Sequence, residues 1–102
     1  MTIALLQVRL RRIAWEATDI NSFEFTAPDG RELPPFAAGA HVDVHLPGGL
    51  VRQYSLCNPP DERHRYVIAV QKDARGRGGS RGMHERVREG DVLVVKIGRA
   101  HV

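Results

Sequence analysis

The chain has 102 residues, 42% of them hydrophobic and 26% charged, with a formal charge of +3 and a pI near 9.6. These values bound it to one small soluble domain with a single core, and no apolar run approaches the ~20 residues a membrane span needs. Arginines that alternate with acids argue against a nucleic-acid tract, and the lone Cys57, which cannot form an internal disulfide, agrees with a reducing, cytoplasmic setting.

Near the start only residues 3–6 are apolar, and Arg9, Arg11 and Arg12 follow them, the wrong order for a secretory signal. Leu6, Val8 and Leu10 alternate with Gln7, Arg9 and Arg11, the period of a strand with one buried face. Past Arg12 the apolar positions move to Ile13 and Trp15. That slip of phase predicts a β-bulge, which bends the strand around a barrel corner. Phe23 and Phe25 alternate with Ser22, Glu24 and Thr26 in a second strand, and Pro28-Asp29-Gly30 turns the chain. Residues 33–40, with two prolines, a glycine and no period, form a connection.

Val42, Val44 and Leu46 alternate with His41, Asp43 and His45 in a third strand, and Pro47-Gly48-Gly49 turns it into a fourth that carries Arg52-Gln53-Tyr54-Ser55-Leu56-Cys57. Asn58-Pro59-Pro60 stops that strand, because proline has no ladder donor and restricts the residue before it. Its end should leave backbone groups free to meet a ligand. Residues 66–71 and 92–96 are apolar on both faces, as strands enclosed by other elements are. Between them Ser80 suits an N-cap, Met83 and Val87 share one helical face, and Gly90 suits a left-handed helix end. The expected fold is all-β: a six-stranded antiparallel Greek-key barrel with one short helix before the last strand.

Successive strand residues face opposite ways and rise about 3.3 Å each, so Arg52 and Tyr54 project together roughly 7 Å apart. A cation and a ring so placed suit a ligand with an anionic end and a flat ring. Arg52, Tyr54 and Ser55 reproduce an Arg-x-Tyr-Ser motif, and the chain resembles the flavin-binding barrel of the ferredoxin-reductase superfamily. Within it the likeness is to reductase components of Rieske-type oxygenase and demethylase systems, the phthalate dioxygenase and vanillate demethylase reductases. Three more stretches carry it in order: Pro35-Phe36-Ala37-Ala38-Gly39-Ala40-His41-Val42-Asp43-Val44, Tyr66-Val67-Ile68-Ala69-Val70, and Gly78-Gly79-Ser80 followed by Met83-His84 and Gly90-Asp91. Residues 97–102 leave the family pattern and read as an adapter-like, non-native tail. Residues 1–96 are thus expected to be the flavin domain of a chain cut before its nicotinamide domain.

The resemblance implies a flavin, FMN favoured over FAD because no adenine platform is evident after Ser80. Arg52 would hold the flavin phosphate, with Gly78, Gly79 and Ser80 giving close backbone approach at a helix start. Tyr54 would lie along the ring or ribityl part. Ser55, the catalytic candidate, would present its hydroxyl near the ring nitrogen that accepts hydride. Leu56, Cys57 and Asn58 would line the pyrimidine edge through backbone groups, with Gln53 also in the binding strand. NAD(P)H would reduce the flavin, which would pass electrons singly to a [2Fe-2S] centre serving an oxygenase. That centre needs four cysteines and this sequence has one, so it and the nicotinamide site are assigned elsewhere, and the chain is expected to be inactive alone.

Two alternatives stand beside this oxidoreductase reading. One is a stand-alone flavin or ligand carrier. The other is a basic barrel for single-stranded nucleic acid, disfavoured because four of the six aromatics sit at positions read as core-facing. No metal is expected, since His41 and His45 lie about 13 Å apart along a strand. His84 reads as solvent-facing.

Overall fold

Alternation does build strands here. The computed structural model describes residues 4–72, 83–84 and 87–98. Its strands, in chain order, are β1 (Ala4–Ala17), β2 (Ile20–Thr26), β3 (His41–His45), β4 (Val51–Ser55), β5 (Tyr66–Gln71) and β6 (Val92–Gly98). All six join one antiparallel sheet in the order β4-β3-β6-β1-β2-β5, so β6 returns from the end of the sequence to lie between β3 and β1. That crossover is the Greek-key element the turn pattern predicted. β6 runs two residues past the boundary expected at residue 96, with Ile97 opposite both Ala4 and Val42.

Apart from β4, every strand turns buried apolar side chains inward. Val8, Leu10, Phe23, Phe25, Val42, Val44, Ile68 and Val95 have no exposed surface, and each such side chain contributes about 1.5–3 kcal/mol by leaving water. The bulge falls where the phase slip put it: Leu10 faces Phe25 while Arg12 faces Glu24, leaving Arg11 as the extra residue. At the same point β1 parts from β6. Gly90 donates to the Leu10 carbonyl at 2.7 Å, Leu10 donates to the Asp91 carbonyl at 2.8 Å, and the Glu89 carboxylate accepts from the Ile13 N–H at 2.9 Å.

Four expectations change. Trp15 keeps inward parity but is 73% exposed, because the end of β1 runs beyond the core. β5 and β6 bury one face only: Ala69, Val92 and Val94 are exposed, no described element lying over the outer side of those rows. Among the described residues the sheet is not closed into a barrel, since β4 and β5 remain edge strands. Proline after Asn58 removes the donor with which β4 would extend the ladder. Of the expected helix, only Met83 and His84 have helical backbone among the described residues; Ser80, its proposed cap, lies outside them. Met83 and Val87 are both buried, and Gly90 has the predicted positive φ, 97°. No helix among the described residues is long and apolar enough to cross a membrane.

Candidate functional site

Among the described residues β4 has a ladder partner on one side only, so its chemistry sits at an edge. Arg52 pairs with Val44 and Tyr54 with Val42, both of which point inward, so the cation and the ring share that face as expected. Tyr54 packs half-buried against the core. Burial raises its phenol above the ordinary value, partly offset by the Arg52 charge beside it. The Arg52 guanidinium is half-exposed and donates to the Val51 carbonyl at 2.8 Å. Gln53 and Ser55 project to the opposite face, where the Gln53 amide donates to Asp43 at 3.1 Å and Ser55 is exposed opposite His41. The motif is therefore split across the strand: Arg52 and Tyr54 on one side, Ser55 on the other. Gly78, Gly79 and Ser80 lie outside the described residues.

The segment after β4 differs from its sequence reading. The Leu56 N–H already donates to the Ala40 carbonyl at 3.0 Å and the Cys57 N–H to the Val67 carbonyl at 2.8 Å. What they offer a ligand is therefore carbonyls and side chains; the exposed Cys57 thiol turns 3.7 Å from the Ser55 carbonyl. Asn58 is buried, and its side-chain amide is spent inside the molecule, donating to the Arg65 carbonyl and accepting from the Val67 N–H, both at 2.9 Å.

Beside this segment opens a cleft of about 460 Å³ on the outer face of β1, β2 and β5. Register explains its floor: Ala14 faces Ser22, which faces Ala69, a row of small side chains. Cys57, Asn58 and Pro59 form one wall, and Arg12, Glu16, Glu24 and Arg65 supply charge. Glu24, flanked by buried Phe23 and Phe25, is itself buried. Burial pushes its carboxyl up, but hydrogen bonds and charge from Arg65 at 2.9 Å and Arg11 at 3.1 Å outweigh that and hold it below the ordinary value. Arg65 also binds Glu62 through two contacts of 3.1 and 3.2 Å. Sequence reading missed this cluster. The available signal was an acid between two core phenylalanines, with Arg65 just ahead of β5.

His84 is half-buried, not solvent-facing: its Nε2 donates to the Val70 carbonyl at 2.7 Å, and its ring meets Phe23 edge-on at 6.0 Å. His41 and His45 stand at opposite ends of β3.

No family model matches the chain. It is 60% identical over 84 residues to vanillate O-demethylase oxidoreductase of Pseudomonas putida, covering 82% of this chain and 26% of that protein. Against phthalate dioxygenase reductase of Burkholderia cepacia the identity is 53% over 83 residues, covering 81% and 26%. The chain thus spans about a quarter of the length of these relatives. A solved phthalate dioxygenase reductase, described as a modular structure for electron transfer from pyridine nucleotides to [2Fe-2S], superposes with a TM-score of 0.92 at 44% identity, over 96% of this chain and 31% of that one. The FAD/NAD-binding domain of a nitric oxide dioxygenase from Vibrio cholerae shares the fold at 21% identity, with a TM-score of 0.79 over 95% of this chain and 46% of that one. By sequence and by strand arrangement, the chain is a homologue of the vanillate O-demethylase and phthalate dioxygenase reductases and carries the fold of the latter.

Proposed function

We propose that this chain is the flavin-binding part of an NAD(P)H-dependent reductase that delivers electrons, through a [2Fe-2S] centre on another part of the protein, to an oxygenase or demethylase in the cytoplasm. The observation that carries this is the pairing of Arg52 and Tyr54 on one face of edge strand β4, in a chain homologous to oxygenase reductases.

The described residues fit a flavin nucleotide. The half-exposed Arg52 guanidinium is a fixed cation for a phosphate, and charge-assisted bonds of that kind are the strong ones. Tyr54 offers a ring packed half-buried against the core, with the rest of its surface open to a ligand. Ser55 presents a hydroxyl, and its exposure leaves that group open to a ring nitrogen. Gly78, Gly79 and Ser80 keep their proposed role at the phosphate. A bound flavin supplies the step between two-electron hydride chemistry and one-electron transfer; the protein binds and orients it. FMN is the favoured form, because Arg52 accounts for one terminal phosphate and the sequence after Ser80 offers no evident adenine platform.

Flavin titrations into Arg52→Ala, His41→Ala and His45→Ala test the reading. Arg52→Ala is expected to weaken FMN binding by about tenfold or more, the two histidine variants by little. Equal affinities across the three place the phosphate elsewhere. Competition between FMN and FAD at equal ionic strength separates the two forms; a clear preference for FAD that is lost on changing Arg81 or His84 overturns the choice of FMN and leaves the flavin.

A further inference from the structure

The resemblance has Asn58 line the pyrimidine edge of the flavin through backbone groups, whereas its side-chain amide is engaged within the molecule. Asn58 is 8% exposed and bridges the two edge strands of the sheet, with Oδ1 accepting from the Val67 N–H and Nδ2 donating to the Arg65 carbonyl, each at 2.9 Å. Next to it the Cys57 N–H donates to the Val67 carbonyl at 2.8 Å. These three bonds join the segment after β4 to β5, two strands that share no ladder among the described residues. A side-chain amide carries the same donor and acceptor as a peptide unit, so Asn58 stands in for the backbone where the chain cannot. Its partner residue is anchored in turn, since the Arg65 guanidinium binds Glu24 of β2 and Glu62.

We infer that Asn58 is a positioning residue: it pins the end of β4 to β5 across the open seam, and thereby fixes Ser55, Leu56 and Cys57 in the arrangement that receives the flavin ring. This rests on the flavin reading above. Glu24 and Arg65 act behind it, holding the carbonyl to which Asn58 donates.

The test compares Asn58→Asp with Leu93→Ala, a core change on β6 far along the sheet from the motif, in the full 102-residue chain. Asn58→Asp keeps the size and the acceptor but sets an oxygen against the Arg65 carbonyl. Amide exchange followed by NMR should show Cys57 exchanging about tenfold faster relative to Val95 in Asn58→Asp, and unchanged relative to Val95 in Leu93→Ala. FMN affinity of the folded protein should fall about tenfold, and the visible spectrum of bound FMN should shift, in Asn58→Asp only. Asn58→Gln and Asn58→Ser serve if the aspartate fails to fold, and are expected to move Cys57 exchange in the same sense.

Unchanged relative exchange at Cys57 overturns the clamp, whether or not FMN binds. Faster exchange with unaltered FMN affinity and spectrum overturns the positioning role, reducing Asn58 to a structural bond. If the unsubstituted chain binds neither FMN nor FAD, the flavin reading fails and the positioning role fails with it, while the exchange ratio still decides the clamp.

Discussion

At the scale of single residues, Glu24 shows how environment overrides type. A carboxylate between two core phenylalanines should be costly, and it is kept because Arg65 and Arg11 reach it from two directions. Its folded pKa lies below the unfolded one, so the ionised cluster contributes stability above the ordinary carboxyl range and loses it as pH falls through the lowered value. Resistance of the chain to urea is therefore expected to fall below about pH 4.5, and Glu24→Gln is expected to cost about 1–3 kcal/mol at pH 7 and to flatten that acid limb. An acid limb unchanged in the variant would assign the pH dependence to other carboxylates. The sequence showed an acid between two core phenylalanines but not its partners, because Arg11, Glu24 and Arg65 are brought together by a bulge and a loop. The same limit applies to Asn58. Its place at the strand end was legible, whereas the direction of its amide depended on where β5 returns.

At the scale of elements, period and turn chemistry were legible and depth was not. The slip between Leu10 and Ile13 located the bulge, and Gly90 located the backbone reversal before β6. Parity could say that Trp15 points inward, but it could not say that β1 outruns the core at that point. Continuous apolar runs in β5 and β6 likewise looked enclosed, although Val92 and Val94 stand on an uncovered face. The β1–β2 turn carries a further surprise, Asp19 at φ 61°, a left-handed conformation in which only glycine and a few polar residues are at ease. Its carbonyl accepts from the Lys72 N–H at 2.6 Å, tying the hairpin to the end of β5. Asp19→Gly is expected to leave the melting temperature nearly unchanged or raise it slightly, while Asp19→Val should lower stability by about 1–2 kcal/mol. Equal thermal melts for the two variants would mean that the turn is not strained.

For the whole molecule, the decisive quantity is the share of its relatives that the chain spans, about a quarter. A flavin site can be held by one sheet edge, but hydride transfer also requires a nicotinamide fixed against the ring, and positioning of that kind accounts for much of an enzyme's rate. Mixed anaerobically with NADH in a stopped-flow instrument, the chain loaded with FMN is expected to bleach no faster than FMN free in solution. Fast, saturable bleaching would assign the nicotinamide site to these same 102 residues. The fold itself was legible at this scale because each strand carried its own period. Closure was not, since it hinges on a single seam between β4 and β5.

Trp15, stranded at the end of β1, is the sole tryptophan of the chain. With nearly three quarters of its surface in water already, its emission has little further to move when the protein unfolds, so fluorescence melts will under-report the loss of the core. Its optical use lies elsewhere. The molecule measures 34 × 31 × 27 Å, so a flavin seated on any face lies within range of dipolar energy transfer from the indole. Quenching of this one emitter therefore offers a label-free signal of flavin capture, insensitive to the folding transition that would otherwise confound it.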